Sequence, residues 1–228
     1  AVERQAAEEI REYLHRISGA ALEMVAAGAD LRGRVPIYVG ATAGEELLGR
    51  ISAKGDDPAG FALVVTADAV SIRGLSPDGT YYGACALLEQ LGVRWFQPGD
   101  LGTVVPEART VAVEEQETVQ VPSFPSRHLQ GVADEAWSRH LRSGGPRFPA
   151  AHGVNLGTKA DVLFATHPEY FALLEGVRST RQLCISNPEV LRLAIESTRR
   201  YFRENPEATI IGLGANDGRG FCECDGCK

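Results

Sequence analysis

The sequence predicts an α/β protein in two parts: a compact α/β layer over residues 1–115 and a βα arrangement of the barrel kind over 122–228. Three observations carry that expectation. Helical spacing alternates with short apolar runs throughout the first part. An acid-rich stretch with two prolines, EEQETVQVPSFP, reads as a linker near residues 114–123. Beyond it, a long amphipathic helix leads into an apolar run, TIIGLG, that ends in a polar tip, as barrel strands with chemistry at their C-terminal ends do.

In order, AVERQAAEEIREYLHRISG places Val2, Ala6, Ile10, Tyr13, Leu14 and Ile17 on one helical face, with Gly19 positioned to end the helix. VPIYVG reads as a short strand and TAGEELLGRIS as a second helix. FALVVTADAVSIRG alternates like two strands joined at Ala67–Asp68. A turn through Pro77–Asp78–Gly79 then opens a helix that buries Tyr82, Ala86, Leu87 and Leu91, and RTVAV reads as a strand. In the second part, PSRHLQGVA suits a short strand, DEAWSRHLRSGG a helix, FPAAHGVNLG a strand or a loop, and THPEYFALLEG a helix with a glycine stop. SNPEVLRLAIESTRRYFRENPEA has Asn187 as cap, Pro188 in the first turn and a stripe of Val190, Leu191, Ala194, Ile195, Thr198 and Phe202.

Totals exclude several classes. A formal charge of −7 argues against nucleic acid or an anionic membrane surface as partner, since both need a basic face. No run of about 18 apolar residues is present, so no membrane span is expected. Five cysteines, an odd number, do not make a disulfide-dense scaffold. No secretory signal is visible, but the chain opens at Ala1 inside a helix pattern and both ends look cut. Its compartment is undetermined, with a secreted or periplasmic place fitting best if the cysteines are paired.

The phrases in hand resemble known families. GLSPDGTYYGACALLEQLGVRWFQPGDLGTVVP, through Tyr81–Tyr82–Gly83 and Leu91 to Phe96, resembles the small α/β domain ahead of the barrel in family-20 hexosaminidases and family-67 α-glucuronidases. HPEYFALLEG, QLCISNPEV and NDGRGFCECDGC are similar to the family known as domain of unknown function 4838, some of whose members are assigned as family-163 endo-β-N-acetylglucosaminidases. The resemblance implies a hexosaminidase-like leading domain followed by the first part of a (β/α)₈ TIM-type barrel. Only about 105 residues follow the linker, against about 250 in a whole barrel, so the expectation is an N-terminal portion of a larger hydrolase. Implied too is cleavage of glycosidic bonds in glycans containing N-acetylhexosamine, with an α-glucuronidase-like hydrolase or a non-catalytic glycan-binding module as alternatives.

Glycosidic cleavage usually needs one group to protonate the leaving oxygen and another to attack, activate water or steady a participating acetamide. In the hexosaminidases an adjacent Asp-Glu pair does this; here the matching place holds Asn216–Asp217, so Asp217 is the catalytic candidate and Asn216 a substrate-binding one. Asp217–Gly218 is also good turn chemistry. By the same resemblance Arg127 would hold sugar hydroxyls through its donor fork; a salt-bridged structural Arg is the other reading. His152 falls near the expected end of a strand and could face the sugar, although a lone His is as readily packed or solvated. Trp137 could stack on a sugar or serve a core.

Catalysis on these lines requires no cofactor. Cys222, Cys224 and Cys227 nevertheless form a C-x-C-x₂-C, and a βα unit would return them beside Cys184. Four thiolates at one point suit structural zinc, although paired C-x₂-C knuckles are the commoner spacing. A disulfide or free structural thiols compete equally, and thioredoxin-like redox chemistry lacks its strand-to-helix setting. Cys85, inside a helix, reads as a small core residue.

Overall fold

The computed structural model describes residues 1–26, 28–129, 131, 133–147 and 152–228. It divides into two compact units, Ala1–Arg147 and Phe148–Lys228. Both mix helix with strand. The boundary expected at residues 115–122 thus falls in this structure between 147 and 148.

In the first unit, helix α1 (Val2–Ser18) buries Ala6, Ile10, Tyr13, Leu14 and Ile17, and ends where Gly19, at φ 74°, donates its N–H to the His15 carbonyl. Strands β1 (Ile37–Val39), β2 (Phe61–Val65) and β3 (Val70–Gly74) follow, with helix α2 (Glu46–Ser52) between the first two and helix α3 (Pro77–Gln90) after the third. A short pair, β4 (Arg94–Trp95) and β5 (Thr103–Val104), precedes β6 (Gln116–Gln120). The four-stranded sheet runs β1-β3-β2-β6; β1 and β3 are parallel and the other neighbours antiparallel. Alternation along β2 divides the cores. Phe61, Leu63 and Val65 pack with α1 and α3, while Ala62 packs with Leu47 and Ile51 of α2 on the opposite face. The sheet is the middle of three layers.

Pro77–Asp78–Gly79 forms the first turn of α3 and not a turn ahead of it. Ser76 accepts the Gly79 N–H at 3.1 Å, and proline suits a position whose N–H needs no partner. Gly83 lets α3 lie close against the sheet, because a Cβ there would stand 2.6 Å from Ile72 Cγ2 and 3.2 Å from the Phe61 ring. That contact explains the glycine of the Tyr81–Tyr82–Gly83 step.

The linker expected near 114–123 contains β6, paired with β2 from Phe61↔Gln120 to Val65↔Gln116. Its acids face solvent, while Val119 and Val121 pack on the smaller core. RTVAV, expected as a strand, has no ladder partner; Val111 and Val113 lean on the larger core from an irregular segment. Helix α4 (Glu135–His140) is the one expected over DEAWSRHLRSGG, capped by Asp134. PSRHLQGVA contributes only an isolated bridge, Arg127 with Gly144; Gln130 and Val132 lie outside the described residues.

The second unit contains helix α5 (Ala160–Thr166), strands β7 (Phe171–Leu174) and β8 (Val177–Leu183), and helix α6 (Pro188–Glu204). THPEYFALLEG is therefore not a helix beyond the single turn Pro168–Tyr170. Glu175 at φ 50° and Gly176 at φ 82° make a two-residue hairpin loop, and β7 pairs antiparallel with β8. TIIGLG forms no strand, and among the described residues the hairpin is the unit's only sheet. The parallel strand order expected of a barrel is absent from those residues. Of FPAAHGVNLG, residues 148–151 lie outside the described residues, and His152 onward is irregular.

Asn187 caps α6 as expected, accepting the Glu189 N–H at 2.9 Å. Its buried line differs from the expected stripe. Val190 enters a core with Leu156, Tyr170 and Phe171, supported by Leu193 and Ala194, while Leu191, Ile195 and Phe202 remain exposed.

Leu88 of α3 is fully buried and Leu191 of α6 is 59% exposed. Leu88→Ala is expected to destabilise the first unit by about 2–5 kcal/mol, and Leu191→Ala to change stability by no more than about 0.5 kcal/mol. Urea denaturation followed by tryptophan fluorescence checks the first, and far-UV circular dichroism the second.

Candidate functional site

Two sets of candidate side chains meet in the second unit. His152 Nδ1 lies 2.8 Å from Asp217 Oδ1. Their neighbour Asn216 is engaged in holding the loop. The Gln182 amide donates to the Asn216 carbonyl at 2.7 Å and accepts the Asn216 N–H at 2.9 Å. Asn216 Nδ2 donates to the Arg181 carbonyl at 2.7 Å, and Gly153 N–H donates to the Ala215 carbonyl at 3.2 Å. One residue to each side, His152 and Asp217 are left facing solvent. Asn216, expected to contact substrate, has its amide nitrogen committed to the backbone.

The four cysteines also meet, and by a route the sequence did not suggest. Cys184 follows β8 in a hairpin rather than a parallel βα unit, its N–H bonded to the Tyr170 carbonyl at 2.9 Å. The triplet sits in an irregular segment held against β7: Leu173 N–H donates to Cys222 Sγ at 3.3 Å, and Glu223 N–H to the Leu173 carbonyl at 2.8 Å. Cys227 N–H closes a turn onto the Cys224 carbonyl at 2.9 Å. All four sulfurs lie within 4.8 Å of one another, with Cys184 Sγ at 3.6 Å from Cys224 Sγ and 3.9 Å from Cys227 Sγ. A disulfide is about 2.05 Å long, and all five cysteines are free thiols.

The sulfurs differ in acidity. The Ser186 hydroxyl and then the Cys222 thiol, both bonded to Cys224, bring its pKa down to about 6. Burial pushes Cys222 up to about 11. Burial also opposes the Cys184 thiolate, but hydrogen bonds from Ser186, Cys222 and Arg178 leave its pKa below the ordinary value. Cys85, far from these in sequence, is fully buried in the larger core of the first unit, and that burial raises its pKa.

A family model described as Domain of unknown function (DUF4838) matches residues 98–228. The chain belongs to that family. The match covers every candidate residue named here except Cys85, so in this DUF4838 protein the His152–Asp217 pair, Asn216 with Gln182 and the four clustered cysteines lie within the matched region. Comparison with curated proteins finds no match. No helix among the described residues is long and apolar enough to cross a membrane.

Arg127 and Trp137 belong to the first unit and are engaged there. Arg127 Nη1 donates to the Phe124 carbonyl at 2.6 Å and the Pro125 carbonyl at 3.2 Å, and pairs with Asp57 Oδ2 at 3.3 Å. Its Nε reaches the Arg142 carbonyl at 3.3 Å, and its backbone exchanges both hydrogen bonds with Gly144. Trp137 packs against the larger core and donates from Nε1 to the Trp95 carbonyl at 3.0 Å. Beside it, His140 stacks on Trp95 at 4.3 Å and bonds Glu9 Oε1 at 2.5 Å, while the Trp95 indole donates to Tyr13 Oη at 2.7 Å. The structure thus gives Trp137 a packing role and most of the Arg127 fork a loop-closing one.

Arg127 also lines an open cleft of about 1060 Å³ in this unit, with Asp57, Asp78, Tyr81, Tyr82 and Arg139. The sequence reading missed this cleft. The Tyr81–Tyr82 pair was the available signal, but helical spacing assigned Tyr82 wholly to the core. Tyr82 in fact donates its hydroxyl to the Ser143 carbonyl at 3.0 Å.

Arg127→Ala leaves three backbone carbonyls without their donor. The variant is expected to lose about 1–3 kcal/mol of stability, read as a lower urea midpoint; unchanged stability returns Arg127 to a ligand-binding role.

Proposed function

We propose that this DUF4838 protein takes part in hydrolysing glycosidic bonds of glycans that contain N-acetylhexosamine, with Asp217 as the carboxylate of its reacting centre. One observation carries the reading. Asp217 and His152 are held at 2.8 Å on a loop fixed by Asn216 and Gln182, yet both side chains stay accessible. A carboxylate set this close to an imidazole can take up a proton, pass it on, or orient a polar group of a sugar. His152 sits against one carboxylate oxygen, and both side chains are open to a sugar's hydroxyl groups.

Support for the substrate class comes from the resemblance of the cysteine and Asn-Asp phrases to glycan-cleaving proteins. The Tyr81–Tyr82–Gly83 step, with its close helix-to-sheet contact, supports reading the first unit as a hexosaminidase-type leading domain. That the second unit opens a TIM-type barrel rests on the resemblance alone. A departure from the hexosaminidases bears on mechanism. The pair here is Asn-Asp, and Asn216 serves the backbone, so the tasks of the Asp-Glu pair do not transfer one for one. An α-glucuronidase-like activity would use the same leading domain.

A non-catalytic glycan-binding module is favoured by one observation: the His152 and Asp217 side chains are 66% and 81% exposed, in surroundings too open to exclude water. Asp217→Asn in the protein expressed from its whole gene separates the readings. With N-acetylglucosamine oligosaccharides as probe, hydrolysis is expected to fall about 10²–10⁴-fold, while calorimetric binding holds nearly constant. Equal turnover in the variant reassigns Asp217 to the turn. Binding without turnover in the parent protein selects the binding module, and absence of both defeats the proposal.

A further inference from the structure

We propose that Cys184, Cys222, Cys224 and Cys227 bind one Zn²⁺ as a closed tetrathiolate site that fastens residues 205–228 to the β7–β8 hairpin. The ligands come from two places, the turn between β8 and α6 and the turn that ends the described chain. Zinc with four thiolates at about 2.3 Å has sulfur–sulfur edges of about 3.8 Å. The 3.6 and 3.9 Å separations from Cys184 lie on either side of that value, and the full set needs only a small contraction from its 4.8 Å limit.

The surroundings fit a metal better than a disulfide. One disulfide would engage two sulfurs and strand the other two beside it. A tetrathiolate zinc uses all four; each thiol releases its proton, leaving a centre of net charge −2 with no open coordination position. Such a centre needs hydrogen-bond donors on its sulfurs. Two are in place: the Leu173 N–H on Cys222, and the single O–H of Ser186, whose oxygen lies 3.4 Å from Cys224, 3.2 Å from Cys227 and 3.5 Å from Cys184 and which can turn its proton to one of them once the thiols have lost theirs.

The polypeptide around the thiols also calls for a fastening. Residues 205–228 form no helix or strand. Their apolar anchorage is a small cluster in which Ala172, Leu173 and Leu174 pack against the cysteines themselves. Besides Gln182 and Asn216, the segment is tied down by Glu223 N–H on Leu173 and by Glu223 Oε2, which accepts the Glu175 N–H at 3.0 Å. The stretch between Cys184 and Cys222 carries α6 and then Asp217, so the metal closes the loop that presents the His152–Asp217 pair. The inference concerns metal alone and stands or falls apart from the glycan reading, because its measurements need no turnover.

The 228-residue chain, purified in reducing buffer with zinc supplied, is expected to hold one zinc per chain by elemental analysis. Cys224→Ser loses it, whereas Cys85→Ala keeps it. Because Cys224→Ser could fail for want of folding, the parent chain supplies a second measurement. Exchange of its zinc for Co²⁺ is expected to give the intense visible bands and sulfur-to-metal charge transfer of a tetrahedral tetrathiolate. Chelation is expected to speed amide hydrogen exchange in residues 205–228 and leave α3 protected. A metal-free chain with intact thiols in the presence of zinc overturns the proposal. So does a disulfide from Cys184 to the triplet in freshly isolated protein, or iron in place of zinc at these sulfurs.

Discussion

The second unit turns on one exchange of hydrogen bonds, between the side-chain amide of Gln182 and the backbone of Asn216. A buried polar side chain is costly unless both its donor and its acceptor are used. Gln182, 3% exposed, meets that demand by taking the N–H and the carbonyl of a single residue, much as a neighbouring strand would. One side chain thus replaces a ladder. It holds the segment after α6 against β8 without making that segment a strand, and it fixes the backbone immediately before Asp217. Gly153, donating to Ala215, brings the His152 loop to the same place, and a Cβ on Gly153 would collide with the Asn216 side-chain oxygen. Mutual fit of Gln182, Asn216 and Gly153 sets where two exposed functional groups meet.

Legibility in the sequence followed the kind of force at work. Helices α1 and α6 were readable because caps and terminators are local: Gly19, and Asn187 with Pro188, each act within a turn, whereas α3 was legible by its spacing while its start at Ser76 and Pro77 was taken for a turn. The β2–β3 hairpin was readable from its alternation. FALL was not, since a short apolar run fits a buried helix as well as a strand. What decides it is Glu175 in a left-handed turn conformation, and glutamate gives little local sign of that. The apolar run TIIGLG failed the other way. A strand needs a partner edge, and among the described residues none pairs with 209–214; Gln182 holds the chain just beyond the run, at Asn216. β6 was hidden by acids that face solvent while Val119, and Val121 just after the strand, face the smaller core.

Site residues divided along similar lines. The cysteine cluster was legible because close spacing constrains three of the four sulfurs before any tertiary structure forms, and Cys184 needed only to be brought near. Arg127 and Trp137 were not legible, because arginine forks and indoles suit carbohydrate and loop closure equally well. In Arg127 the carbonyls of Phe124, Pro125 and Arg142 compete with any ligand for the same N–H groups. Trp137 is drawn in by the Trp95 carbonyl and by the core that Tyr13, Trp95 and Tyr81 build around His140. No feature of residue type at those positions distinguishes the two uses.

A thiolate centre placed near a histidine–carboxylate pair raises the question of which would hold a metal, since His152 and Asp217 are themselves competent ligands. Donor softness and number decide it. Zinc gains more from four convergent thiolates than from one imidazole and one carboxylate oxygen in solvent, where water would have to complete the shell. The sulfur cluster, partly buried and supplied with donors from Leu173 and Ser186, is the stronger trap. With all four positions filled by sulfur the ion has no vacancy for a substrate oxygen, so it would stiffen the loop without entering its chemistry. The pair is then left unmetallated and open to solvent. A unit with small apolar cores can in this way keep a polar tip in fixed geometry without burying the groups that must meet a ligand.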